Sequence, residues 1–258
     1  MNFEHSHLIC FSPTHSSHVI GETILQGLGL EQIAETDLTY EKPEEEILLC
    51  NTVTVIVVPV YGGRVPGIAL ERMEGIRGEQ SPVIPVVVYG NRDYDDALLE
   101  LRDWCVAHGL VPVAAAAFIG EHSYSREDRP IAAGRPDETD LQQAREFGRQ
   151  VFDRLKLVGQ ETKPLYVKGN YPYKTIGPKT PQTPLMVSER CSQCGFCIEI
   201  CPVQAIRLDE EIVSNAETCI KCCACVKQCP QGARLFETPY TDILFKNFSN
   251  RRDPDLFF

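Results

Sequence analysis

The sequence predicts an α/β protein: a doubly wound, five-stranded parallel sheet in the order 2-1-3-4-5, followed by a small α+β module built on cysteines. Three observations carry this. Up to about residue 155, short apolar runs alternate with amphipathic stretches. The apolar runs are near-continuous Val and Ile, as strands covered by helices on both faces require. Between Cys191 and Pro230 one cysteine phrase is written twice, as Cys191-x2-Cys194-x2-Cys197-x3-Cys201-Pro202 and Cys219-x2-Cys222-x2-Cys225-x3-Cys229-Pro230.

Taken in order, strand patterns fall at 8–11, 32–38, 53–60, 83–89 and 111–119, and helix patterns at 17–27, 65–76, 94–108 and 137–155. Five β-α units of this length fit a doubly wound sheet. Residues 161–190 break the alternation with Pro164, Pro172, Pro178, Pro181 and Pro184. This stretch reads as an extended, semi-rigid linker whose tyrosines pack on a domain. The expected division is an α/β domain over 1–158, a Pro-rich linker over 159–186, the cysteine module over 187–237 and an aromatic tail over 238–258. That tail, with Phe245, Phe248, Phe257 and Phe258, is expected to dock on its own chain.

The cysteine phrase is the ligand spacing of a two-cluster bacterial-type ferredoxin domain. Three cysteines at x2 spacing wrap one face of a [4Fe–4S] cube, and the fourth ligand of each repeat crosses to the other cluster. Cys191, Cys194, Cys197 and Cys229 are therefore assigned to one cluster, and Cys219, Cys222, Cys225 and Cys201 to the other. Zinc favours separated cysteine pairs and fits the doubled triplet poorly. Disulfides need an oxidising compartment. The repeats align at an offset of 28 residues, which pairs Gly195 with Cys223 and Ala205 with Ala233. By register Cys223 is not a ligand. Cys10, Cys50 and Cys105 read as buried thiols.

The formal charge of −11 argues against nucleic acid and favours redox partner proteins with a basic docking patch. The first twenty residues hold no export signal, and the longest apolar run, 53–60, is too short to span a bilayer. A cytoplasmic location is expected, with no membrane span.

In open α/β sheets, ligands bind beyond the strand ends where strand order reverses. The loop after the first strand is Ser12-Pro13-Thr14-His15-Ser16-Ser17, whose hydroxyls and N–H groups at a helix start suit a phosphate. The third strand ends in Tyr61-Gly62-Gly63-Arg64, the fourth in Gly90-Asn91-Arg92-Asp93-Tyr94, and the fifth is followed by Gly120-Glu121-His122-Ser123-Tyr124. Aromatic and glycine-rich loops opposite a phosphate loop suggest FMN. A receiver domain would need an aspartate where Pro59-Val60-Tyr61 stands. Gly27-Leu28-Gly29 follows a helix, so it is no dinucleotide fingerprint. Arg64, Arg92 and His122 read first as structural or satisfied loop residues.

Phe11-Ser12-Pro13-Thr14, with PVYGGRVP (59–66), VVVYGNRDYDDALLEL (86–101), AAAAFIGEHSYS (114–125) and the doubled cysteine phrase, resembles the flavodoxin–ferredoxin fusion proteins of anaerobic bacteria and archaea. The resemblance implies a flavodoxin-like domain holding FMN, followed by a dicluster ferredoxin domain. It carries phosphate contacts to Ser12, Thr14, His15, Ser16 and Ser17, and isoalloxazine contacts to Tyr61, Gly62, Gly63, Gly90, Asn91 and Tyr94. One departure stands out: His15 occupies the usual glycine position, where a side chain either crowds the backbone or adds a donor to the phosphate. The function expected is electron transfer between FMN, two [4Fe–4S] clusters and a redox partner. The alternatives are a flavin-dependent reductase acting on a small substrate, or a dedicated reductive partner of a radical or corrinoid enzyme.

Overall fold

The computed structural model describes residues 3–156, 164–178 and 180–258. The sequence-based boundary at 158/159 and the linker start at residue 161 lie outside the described residues. Chain order runs β1 (His5–Cys10), α1 (Ser16–Leu28), β2 (Glu31–Asp37), β3 (Ile47–Leu49), β4 (Thr52–Pro59), α2 (Gly67–Met73), β5 (Ile76–Gly78), β6 (Ser81–Tyr89), α3 (Ala97–Ala107), β7 (Leu110–Pro112), β8 (Ala115–Ile119) and α4 (Glu138–Leu155). The second part holds β9 (Leu185–Met186), α5 (Phe196–Glu199), β10 (Ile206–Leu208), β11 (Ile212–Ser214), α6 (Ala224–Lys227), β12 (Arg234–Leu235), α7 (Pro239–Phe248) and β13 (Asp255–Phe257).

The long strands pair in parallel as β2-β1-β4-β6-β8. Counting those five strands in chain order gives 2-1-3-4-5, the flavodoxin-like order read from the sequence. Two features extend it. The run expected over 111–119 divides into β7 and β8, both along β6; Pro112, with no N–H to donate, ends the first piece. The C-terminal tail adds β13 antiparallel to the outer edge of β8, pairing Asp255 with Ala117 and Phe257 with Ala115. That edge is covered, as exposed strand edges in stable domains usually are.

Each face of the sheet has its own apolar layer. Leu8, Val55, Val57, Val86 and Phe118 meet α1 and α4, while Ile9, Ile56, Val58 and Val87 meet α2 and α3. On the first face the helices touch backbone to backbone. A Cβ at Gly27 would strike the Arg145 carbonyl, and one at Gly148 the Ile24 carbonyl. These two glycines let α1 and α4 cross that closely. At the start of α4, Asp137 caps the N–H groups of Thr139 and Asp140.

The Pro-rich segment lies along α3. Leu165 and Val167 are buried, Asn170 and Lys174 donate backbone N–H groups to Asp96, and the Tyr173 hydroxyl donates to Asp103 at 2.7 Å. Tyr166 and Tyr171 remain exposed, so of the three tyrosines expected to pack only Tyr173 anchors the segment. Among the free thiols, Cys10 and Cys105 are buried as expected. Cys50 is exposed instead, in the tight connection between β3 and β4, 3.4 Å from Glu79. Asn51 beside it takes φ 52°, and that turn faces Cys50 outward. No helix of the described residues is long and apolar enough to cross a membrane.

Candidate redox site

A cavity of about 640 Å³ opens at the C-terminal ends of the parallel strands. Its volume falls in the range of cofactor pockets. Thr14, Ser16 and Ser17 line one end, where α1 begins. Helix starts leave N–H groups without carbonyl partners. Here Ser12 Oγ accepts the His18 N–H at 3.0 Å, while the N–H groups of Ser16 and Ser17 find no backbone carbonyl among the described residues. Tyr61, Gly62, Gly63 and Gly90 line it as well. Gly62 and Gly63 take φ 64° and 87°, open to glycine at little cost. A Cβ at Gly90 would collide with His122. A hydroxyl-rich helix start opposite glycine-rich loops fits a phosphate-bearing aromatic cofactor.

The other candidate contacts face elsewhere. Ser12 is buried, and its N–H donates to Thr39 Oγ1 at 2.8 Å. His15 adopts φ 65°, so the backbone keeps the glycine-like shape despite the side chain. Its exposed imidazole lies 3.4 Å from Gln228 Oε1, in the cysteine module. Asn91 and Tyr94 serve the tail: Asn91 Nδ2 donates to the carbonyls of Phe248 and Asn250, and the Tyr94 hydroxyl donates to Asp255 at 2.7 Å. Burial and the Asp255 carboxylate hold that phenol above its ordinary range. The two arginines singled out are paired, Arg64 with Glu100 and Arg92 with Asp95.

Three segments that loop reading alone does not bring together also wall the cavity. Lys174, Ile176 and Pro178 come from the Pro-rich segment, Tyr240 from α7, and Ile220 and Lys221 from the second cysteine loop. The module is held there by specific bonds. Lys227 Nζ donates to Glu121 Oε1 at 2.5 Å and to the Ser125 carbonyl at 2.8 Å. Gln228 Nε2 donates to the Pro13 carbonyl at 2.8 Å, and the buried Arg72 of α2 donates to the Pro202 carbonyl at 2.6 Å. Burial raises the Glu121 carboxyl, yet the bonds from Lys227 and Gly134 outweigh it and leave the pKa low.

The eight repeated cysteines line two small pockets. Cys191, Cys194, Cys197 and Cys229 surround one, and Cys201, Cys219, Cys222 and Cys225 the other. The duplication persists in the backbone. Gln193 and Gly195 take positive φ in the first loop, Lys221 and Cys223 in the second. The Ala205 N–H donates to Cys201 Sγ at 3.2 Å, and the Ala233 N–H to Cys229 Sγ at 3.3 Å. Such inward N–H groups suit anionic sulfur. Burial pushes the Cys222 thiol up to about 12 and the Cys225 thiol to about 11, with Arg234 acting against burial at Cys225. A donor set of four sulfurs with N–H groups turned on it fits an iron–sulfur cluster, whose iron holds its ligands as thiolates. Cys223 is buried beside the second pocket, where its Sγ lies 3.6 Å from the Lys221 carbonyl.

The second pocket and the cavity adjoin. Ile220, between Cys219 and Cys222, lines both the cavity and the second pocket. Tyr61, on the cavity wall, packs against Ile200, Cys222 and Ala224. Nothing in the sequence pattern marks Ile220; its place follows from how the module docks.

Comparison with known proteins agrees with the cysteine module. Residues 190–233 match the family model described as a 4Fe-4S dicluster domain. No curated protein matches the chain. Among solved structures, a flavodoxin from the domain Archaea is 12% identical over 59% of this chain and 99% of its own, with a TM-score of 0.41. Oxidised flavodoxin 1 from Bacillus cereus is 14% identical over 58% of this chain and 97% of its own, with a TM-score of 0.43. The flavodiiron protein from Giardia intestinalis is 15% identical over 60% of this chain and 36% of its own, with a TM-score of 0.38. The fold assignment rests on strand order rather than on these likenesses. The chain carries a flavodoxin-like doubly wound sheet and, over residues 190–233, a segment similar to 4Fe-4S dicluster domains.

Proposed function

We propose that the chain is an electron-transfer protein in which FMN, two [4Fe–4S] clusters and a redox partner protein form one relay. Thr14, Ser16 and Ser17 hold the phosphate, and Tyr61, Gly62, Gly63 and Gly90 cradle the ring. Cys201, Cys219, Cys222 and Cys225 hold the cluster nearer the cavity; Cys191, Cys194, Cys197 and Cys229 hold the outer one. When bound, FMN supplies interchange between two-electron and one-electron transfer, which iron–sulfur clusters lack.

The observation that supports this reading is the shared wall. Ile220 borders cavity and inner pocket alike, so protein rather than bulk water separates the two centres. Tyr61 fills the same gap against Cys222. On the far side Cys194 is exposed and Phe196 is partly so, which offers an exit to a partner. The −11 charge favours a partner with a basic patch and an association rate that falls with salt. The test is anaerobic purification with iron, sulfide and flavin counting. The proposal expects about eight irons in two cubane clusters and one FMN per chain. A chain that takes up iron but never flavin would refute the relay.

A further inference from the structure

The duplicated cysteine phrase is unequal at one buried position. At the 28-residue offset, Ile206 of the first repeat corresponds to Arg234 of the second. Both follow the alanine whose N–H donates to a crossed cysteine sulfur. Ile206 lines the inner pocket and Arg234 the outer one, and both are almost fully buried. One cluster pocket thus has an apolar wall where the other has a cation.

Nothing ordinary accounts for that cation. Arg234 is 3% exposed. Among the described residues its side-chain oxygen partner is the neutral Ser214 Oγ, at 2.5 Å from Nη2, and its buried Nε makes no hydrogen bond there. No carboxylate pairs with it in any ion pair among the described residues. A buried guanidinium without a counter-ion is strongly unfavourable. What does face it is sulfur: it lines the pocket of Cys191, Cys194, Cys197 and Cys229, and it also acts on Cys225 of the inner set.

We infer that Arg234 is the buried counter-charge of the two clusters and sets their reduction potentials. This rests on the cluster assignment proposed above. Each electron that enters adds negative charge to the module, and a fixed buried cation that acts on Cys197 of one sulfur set and Cys225 of the other stabilises the reduced forms. Potentials of such clusters follow local charge, hydrogen bonds to sulfur and solvent exposure. Arg234 acts through the ligands, so it is a positioning residue with an electrostatic role. Its pseudo-equivalent, Ile206, supplies no such charge, so the duplicated halves are electrostatically unequal.

The test is an anaerobic redox titration of the full, cluster-loaded chain, read by electron paramagnetic resonance. Arg234→Ile makes the two repeats alike, Arg234→Gln keeps polarity and length, and Arg234→Lys keeps the charge. The expected result is lower potentials in the Ile and Gln variants, by at least a tenfold shift in the reduction equilibrium, or about 59 mV for one electron. Arg234→Lys should recover part of it. Iron counted in each variant separates the outcomes. Full iron with unchanged potentials in both the Ile and Gln variants overturns the inference. An equal loss of potential in Arg234→Lys also overturns it, because packing rather than charge would then be at work. If the unmodified chain binds no clusters, the functional proposal itself fails, and that failure appears before any variant is made. Should Arg234→Ile not assemble, the Gln and Lys pair decides.

Discussion

His122 gives the most quantitative prediction. It lies in the loop after β8, lines the cavity, and its Nδ1 accepts the Tyr124 N–H at 3.0 Å. Burial, with Lys227 and Arg92 adding to it, pushes its pKa from 6.5 down to about 4. The unfolded chain takes up that proton near 6.5 and the folded chain only near 4. Between those values the unfolded state binds more protons, so the stabilisation is complete above pH 6.5 and is lost as pH falls toward 4. Going from about pH 7 to about pH 5, the full shift corresponds to about 2 kcal/mol. The ring keeps some exposure to the cavity, so about 1–2 kcal/mol is expected after screening. The assay is anaerobic urea unfolding at the two pH values, followed by the single tryptophan, Trp104 on α3. His122→Gln should reduce the acid loss by about that amount relative to the unmodified chain. An identical acid loss in both proteins would refute the reasoning.

Three further predictions follow from named contacts. Cys201→Ser and Cys229→Ser should each lower bound iron from about eight to about four, each emptying the pocket lined mainly by the other repeat; spectroscopy that shows loss from the same repeat would contradict the crossing. Gly148→Ala should destabilise the α1–α4 contact by about 1–3 kcal/mol, because the new methyl meets the Ile24 carbonyl, and the urea midpoint reads this directly. Tyr94→Phe removes the hydroxyl donated to Asp255; a bond to a half-exposed carboxylate is worth about 1–2 kcal/mol, and hydrogen exchange at β13 should accelerate while exchange at β4 stays unchanged.

What could be read in advance was local. Ligand spacing in the cysteine phrase is fixed by how a short loop wraps a cube, so residues 191 to 230 announce their chemistry without tertiary information. The Val/Ile runs of β4 and β6 announce strands buried on both faces, and their alternation with helices leads to the observed order. Partners far apart in sequence were not legible. Asn91 and Tyr94 sit in the loop where a flavin contact is expected, but tail residues about 160 positions later take their polar atoms. Cys50 sits in apolar surroundings in the sequence, yet a single turn with Asn51 at positive φ exposes it. The linker proved to be part of the cavity wall because Asp96 and Asp103 gather its backbone and Tyr173 onto α3. Arg234 was legible in principle: alignment of the repeats places it opposite Ile206, and only its burial gives that mismatch a meaning.

The central claim is that electrons pass between the cavity and the outer cluster by way of the inner one. Stopped-flow reduction of the anaerobic, flavin-loaded chain tests it, with flavin and cluster bands followed together in the unmodified protein and in Cys201→Ser. The account predicts that electrons entering at the flavin fill both clusters in the unmodified chain. In the variant, the flavin should still be reduced while the outer cluster fills orders of magnitude more slowly. An outer cluster that fills at the same rate in both proteins would contradict the relay.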